Sequence, residues 1–134
     1  MAGYSGTPLV KKLGIKPASA LSLVGAPAGF RRILIGLPRS VRVSPQGDGH
    51  PDLMIWFVRS RAELTATIAR RAFEMGSGLW IAWPKKASGV RTDVTEDAVR
   101  NAGLAHGLVD YKVCAIDETW SGLKFARRAR RPQA

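Results

Sequence analysis

Cysteine is almost absent: Cys114 is the single one in 134 residues, so no disulfide can form within the chain. Its neighbours Val113, Ala115 and Ile116 are apolar, which predicts a packed, inert strand thiol and not a nucleophile. Long apolar runs are absent too. None reaches the roughly 18 residues that a membrane span needs, and the opening MAGYSGTPLVKKLGIK lacks the continuous apolar stretch of a secretory signal. A cytoplasmic protein with no membrane span is therefore expected. Histidine is scarce: His50 and His106 lie far apart with no cysteine at ligand spacing, which argues against a metal centre. Neither a Walker phosphate loop nor the nucleophile elbow of a serine hydrolase occurs.

Acidic residues are in deficit, 10 against 21 Lys and Arg, for a formal charge of +11. The partners this implies are polyanions: nucleic acid, a nucleotide or other anionic small molecule, or an anionic membrane surface, drawn by long-range, salt-sensitive attraction. The last eight residues, RRARRPQA, supply four of these charges through Arg127, Arg128, Arg130 and Arg131, which leaves +7 on the remainder. Residues 127–134 read either as a flexible solubilising tail or as an anchor. Hydrophobic residues at 46% and charged residues at 23% lie near globular averages, and the length suits one domain. The expected organisation is one α/β domain over residues 1–126, in which 1–19 form an arm punctuated by Gly and Pro.

Along the chain, Ala20–Val24 is a short apolar run ended by Gly25-Ala26-Pro27-Ala28-Gly29, a first strand entering a loop. Phe30 to Leu37, apolar with two arginines, predicts a short helix, and Val41 to Val43 a weak second strand. Residues 44–51 are a loop by composition. Asp52 to Val58 is apolar after its first residue, as in a central strand covered on both faces. Ser60 and Glu63 fit a capping box, and Leu64, Ile68, Ala72 and Met75 give the following helix one apolar face until Gly76-Ser77-Gly78 stops it. Leu79 to Trp83 is a fourth strand ended by Pro84, which cannot donate to a ladder. Asp93 and Glu96 read as a second cap, with Val94, Ala98, Ala102 and Ala105 as the stripe up to Gly107. Tyr111 to Ile116 and Leu123 to Ala126 are the fifth and sixth strands around a turn at 117–122.

Strands alternating with helices predict a three-layer, mostly parallel sheet of about six strands with a C-terminal antiparallel hairpin, its antiparallel strand at the edge. This order resembles the Rossmann-like fold of nucleotide- and methyl-donor-dependent transferases, shortened by one β-α unit. In such sheets ligands sit at the carboxyl ends of the strands. There the first strand delivers Gly25, Pro27 and Gly29, the third Arg59 and Arg61, the fourth Lys85, Lys86 and Ser88, and the fifth Asp117, Glu118 and Trp120. The stretch WPKKASG, at 83–89, offers two ammonium groups and a hydroxyl to a phosphate or carboxylate, or is simply a solvated basic loop. Asp117 and Glu118 are candidate acid and base, or caps of their own turn. Trp120 is a candidate stacking face, or a lid on the core. The loop Gly-Ala-Pro-Ala-Gly lacks the glycine spacing of a dinucleotide fingerprint, and no acid directly follows the second strand, Asp48 being the nearest. Conventional NAD or methyl-donor binding is not expected, and no cofactor is assigned.

MAGYSGTPLVKKLGIK, WPKKASGVRTDVTEDAVR and GLVDYKVCAIDETWSGLKFARR together resemble a bacterial family of small proteins known as a domain of unknown function. The resemblance implies a bacterial, cytoplasmic, one-domain protein and carries over no catalytic residues. Three readings follow: a degenerate Rossmann-like module binding an anionic ligand at Lys85, Lys86, Arg59 and Arg61 beside Trp120; a small transferase with Asp117 or Glu118 as general base near the Gly25 loop; and nucleic-acid binding through the whole basic surface.

Overall fold

The computed structural model describes residues 8–45 and 50–128. Its centre is a six-stranded sheet in the order β2-β1-β3-β4-β6-β5, from β1 (Ala20–Val24), β2 (Arg42–Ser44), β3 (Leu53–Phe57), β4 (Gly78–Pro84), β5 (Leu108–Ala115) and β6 (Trp120–Arg127). The pairs β1 with β2, β1 with β3 and β3 with β4 are parallel, whereas β6 runs antiparallel to both its neighbours, β4 and β5.

The continuous apolar runs explain the layers. Successive side chains of a strand point to opposite faces, so a strand apolar at every position must be covered twice. Leu53, Ile55 and Phe57 of β3 with Trp80 and Ala82 of β4 join one core, with Phe30 from α2 (Phe30–Ile33) and Val10 and Leu13 from α1 (Leu9–Leu13). Met54 and Trp56 of β3 with Leu79, Ile81 and Trp83 of β4 join the other, under α3 (Arg61–Glu74) and α4 (Glu96–Ala105). All four tryptophans are buried.

The antiparallel strand is not at the edge as expected. β4 and β5 are joined through α4, and β6 folds back from a turn at Asp117 to Thr119 into the space between them. The burial pattern gives the reason. β6 buries Trp120, Gly122, Leu123 and Phe125, whereas β5 leaves Val109, Tyr111 and Val113 exposed, so the more apolar strand takes the inner position. β5 also starts at Leu108, earlier than Tyr111, and β6 at Trp120, earlier than Leu123.

Ser60 Oγ accepts the Glu63 amide at 3.1 Å, as a capping box requires. The return bond is displaced by one residue, because Glu63 Oε1 accepts from the Arg59 amide at 2.9 Å. Leu64, Ile68, Ala72 and Met75 form the buried face as expected. α4 departs further from expectation. Thr95, not Asp93, is the cap, its hydroxyl accepting the Ala98 amide at 3.1 Å. The buried stripe is accordingly Val99 and Gly103, with Ala98 and Ala102 only partly buried and Ala105 exposed. Asp93 instead accepts the Arg61 amide at 2.8 Å and ties this loop to α3.

The helix after β1 ends at Ile33, short of Leu37; Phe30 and Leu34 are buried, whereas Ile33 and Ile35 are exposed, Ile35 by 80%, so the segment has no continuous apolar helical face. The N-terminal arm holds a helix that the sequence did not announce. Val10, Leu13 and Ile15 are buried, and the Trp80 indole donates to the Leu13 carbonyl at 2.9 Å. Arg127 ends β6 and donates to the Met75 carbonyl at 2.6 Å, and the Arg128 amide donates to the Gly107 carbonyl at 2.8 Å. The rest of the predicted tail, with Arg130 and Arg131, lies outside the described residues. Among the described residues, no helix is long and apolar enough to cross a membrane.

Candidate functional site

A cleft of about 520 Å³ opens at the carboxyl ends of β1 and β2, a size ordinary for small-molecule sites. Leu23, Val43 and Phe30 give it apolar walls; Gly25, Pro27 and Gly29 supply the loop; Arg31 and Arg32, both exposed, supply charge. The loop needs its glycines. Gly25 has φ +70° and Gly29 φ +80°, the left-handed region that other residues enter at a cost. A Cβ on Gly25 would also stand 3.0 Å from the Phe57 carbonyl oxygen.

Arg59 belongs beside this cleft. It follows β3, the neighbour of β1, and its Nη1 lies 3.6 Å from the point where a Cβ on Gly25 would be. The guanidinium sits 5.1 Å over the Trp120 ring, which fixes its direction through cation–π attraction. Trp120 is only 5% exposed and meets Phe57 edge-on at 5.0 Å. The ring therefore serves as floor for Arg59 and cover for the core.

The other sequence candidates are spread along the same edge. Arg61 is engaged by Asp93 twice, through its amide and through Nε to the Asp93 carbonyl at 2.8 Å. Lys85 follows β4, its amide bound to the Thr119 carbonyl at 2.7 Å, and Lys86 is exposed in a 3₁₀ turn, Lys86–Ser88. The Ser88 hydroxyl donates to the Lys85 carbonyl at 2.6 Å and accepts the Val90 amide at 3.2 Å, so it closes the turn. Asp117 Oδ1 accepts the amides of Thr119 at 2.8 Å and Trp120 at 2.7 Å, capping the β5–β6 turn, whereas Glu118 is exposed. Replacing Asp117 with Ala strands both amides and is expected to cost about 1–2 kcal/mol, measurable by urea unfolding, with ligand affinity at the Gly25 cleft unchanged.

Adjacent parallel strands stand about 5 Å apart, so Gly25, Arg59 and Lys85 follow one another along the rim. The cleft itself gathers Gly25, Pro27 and Gly29, with Arg59 beside it and Arg61, Lys85, Lys86, Ser88, Asp117, Glu118 and Trp120 likewise outside its walls. Sequence reasoning missed Arg31 and Arg32 as cleft residues; the signal was their place directly after the glycine loop.

The Cys114 thiol is buried in the α1-side core, and that burial pushes its pKa up against the opposing charges of Lys12, Lys112 and Lys85. It is not among the residues that line the cleft, and it stays a thiol at neutral pH. Among the described residues no group of His, Cys, Asp and Glu could hold a metal ion. His106 Nδ1 instead lies 3.0 Å from the Ala102 carbonyl.

No family model matches the chain. No curated protein matches it either. Solved structures do. Magnesium protoporphyrin IX methyltransferase from Synechocystis PCC 6803, with bound SAM, superposes with a TM-score of 0.56 at 11% identity, covering 89% of this chain and 74% of that one. A ribosomal-protein methylase from Lactobacillus delbrueckii subsp. bulgaricus gives 0.57 at 12% identity, with 90% and 76% covered. The pyocyanin biosynthetic protein PhzM gives 0.62 at 10% identity, with 89% of this chain and 53% of that one covered. At such identities the likeness is one of fold alone, the Rossmann-like α/β arrangement.

Proposed function

We propose that the chain is a Rossmann-like module that binds an anionic small molecule, a nucleotide or phosphate-bearing metabolite, in the Gly25–Gly29 cleft. The observation that carries this is the combination of apolar walls with arginines and no acid among the described lining residues. Apolar walls suit a base or other flat ring. Arg31 and Arg32 at the mouth, with Arg59 alongside, suit phosphate oxygens, which guanidinium groups bind in pairs.

A second reading is a transferase, favoured by the SAM-bound neighbour of the same fold. A methyl donor in the same cleft would bring its sulfonium charge close to arginines, which is unfavourable, and Asp48, the next acid along the chain after β2, lies outside the described residues. Of its two candidate bases, Asp117 has one oxygen engaged by two amides, which leaves Glu118 the freer. A third reading, nucleic-acid binding through the basic surface, needs no cleft at all.

Calorimetric titration separates them. ATP and ADP are expected to bind, and Arg31→Ala with Arg32→Ala to weaken them at least about tenfold, the effect of losing one charged hydrogen bond. Binding of S-adenosylmethionine without ATP would transfer the proposal to the transferase reading. Binding of neither, with affinity for DNA or RNA that falls steeply with salt, would support the third.

A further inference from the structure

The opposite edge of the sheet carries a second cleft, of about 480 Å³, lined by residues from the loop after α1, the start of β3, the start of β4 and both strands of the hairpin. Its polar groups include Lys16, Lys124, Tyr111, Asp52 and Ser77. Lys124 stands out because its path is fixed. Its ammonium lies 5.7 Å from the Trp80 ring and 5.7 Å from the Tyr111 ring, and it donates to the Leu13 carbonyl at 3.3 Å. Two glycines leave it room: a Cβ on Gly14 would stand 2.8 Å from Lys124 Nζ, and one on Gly78 would stand 3.2 Å from its Cε. The side chain is thus held between two rings and two bare backbones with its cationic end at the cleft.

One carbonyl satisfies one of three ammonium protons. Lys16, on the same wall, is near enough for its charge to act on Lys124. Neither lysine has an ion-pair partner among the described residues. Asp52 lines the cleft too, but its carboxylate accepts the Ala20 amide at 2.8 Å and reaches neither lysine as an ion pair. Two like charges at one opening, with one oxygen of the lining acid held by the Ala20 amide and neither lysine in an ion pair with it, repel each other, and an anion between them relieves that repulsion.

We propose that this amino-edge cleft is a second ligand site, which takes the carboxylate or phosphate of a small metabolite between Lys124 and Lys16 with Tyr111 as its exposed flank. It stands independently of the Gly25 cleft. The alternative is that Lys124 only clasps α1, in company with Lys112, which donates to the Lys12 carbonyl at 2.8 Å.

The test is an amide NMR titration of the full chain with inorganic phosphate and, separately, malonate, each to about 10 mM, enough to fill a millimolar site. Saturable shifts at Gly14, Ser77 and Gly78 are the expected result, independent of any response that phosphate produces at Gly25 and Gly29 beside their own arginines, and the ion that moves them further names the headgroup. Lys16→Ala, at an exposed position, should weaken this at least about fivefold, and Lys124→Met, which keeps the stem, should abolish it. Burial and the Lys16 charge lower the Lys124 pKa, so shifts in the wild type should fade at a less alkaline pH than an ordinary amine would give, with Tyr111, Asp52 and Lys112 the other titrating neighbours. Absence of saturable shifts at Gly14 and Gly78, or unchanged shifts in both variants, would overturn the proposal in favour of the α1 clasp.

Discussion

Trp80→Ala is expected to lower stability by about 3–5 kcal/mol, the range for deleting a large buried aromatic, and the midpoint of thermal unfolding by roughly 10–20 °C. Trp80 is fully buried in β4 and packs so closely that a Cβ on Gly122 of β6 would stand 3.0 Å from its Cε3. Its loss leaves a cavity in the middle of the sheet. The variant also removes the donor that binds the Leu13 carbonyl, leaving only the longer bond from Lys124. Trp80→Phe separates the two effects, since it keeps most of the ring and loses the hydrogen bond. An intermediate loss is expected, with protease cleavage ahead of Gly14 increased before the sheet melts. A wild-type midpoint for Trp80→Ala, followed by circular dichroism, would mean that α1 and β4 are not packed as described.

The second large effect is expected at Gly103, on the buried face of α4. An added Cβ would stand 2.3 Å from Cε2 of Phe125, whose ring is fully buried, so the ring or the helix must shift to admit it. Alanine would gain up to about 1 kcal/mol of helix propensity over glycine and yet is expected to destabilise. Gly103→Val should lose about 3 kcal/mol, the upper end for overpacking. The cause is tested by pairing each change with Phe125→Leu, which opens the space. Chemical unfolding of the four proteins in that cycle should show the double variant more stable than the sum of the two losses by about 1 kcal/mol or more. Additive losses would instead place the cost in the helix backbone.

Much of this fold is legible because its central strands are buried on both faces and so are written as unbroken apolar runs, as in Leu53 to Val58 and Leu79 to Trp83. α3 is legible because Ser60 and four apolar residues state the same period. The start of α4 is ambiguous in the sequence because Asp93 and Thr95 are both good caps two residues apart, and only the Thr95 hydroxyl accepts an amide of α4 itself, Asp93 taking that of Arg61. α1 is illegible for a different reason. Five residues, LVKKL, are too few to show a helical period, and what orders them is distant: the Trp80 indole and the lysines of the hairpin. In the candidate site, Gly25 and Gly29 announce themselves through the loop, but Arg31, Arg32 and the two walls from β1 and β2 converge only once the strands pair. The separation of Lys85 and Asp117 from that cleft is likewise a matter of strand order.

That order has a bearing on synthesis. Because β6 lies inside the sheet, a nascent chain that has emerged through α4 holds four parallel strands and an open β4 edge whose partner does not yet exist. Leu79, Ile81 and Trp83 on that strand then lack the cover of Leu123 and Phe125, and an apolar, unpaired strand edge is a template for the wrong chain. The interval closes only when Arg127, the last residue of the strand and the one that ties back to Met75, has emerged from the ribosome. A delay while residues 105 to 127 have yet to leave the ribosome would therefore present the cell's chaperones with an adhesive, unpaired strand edge.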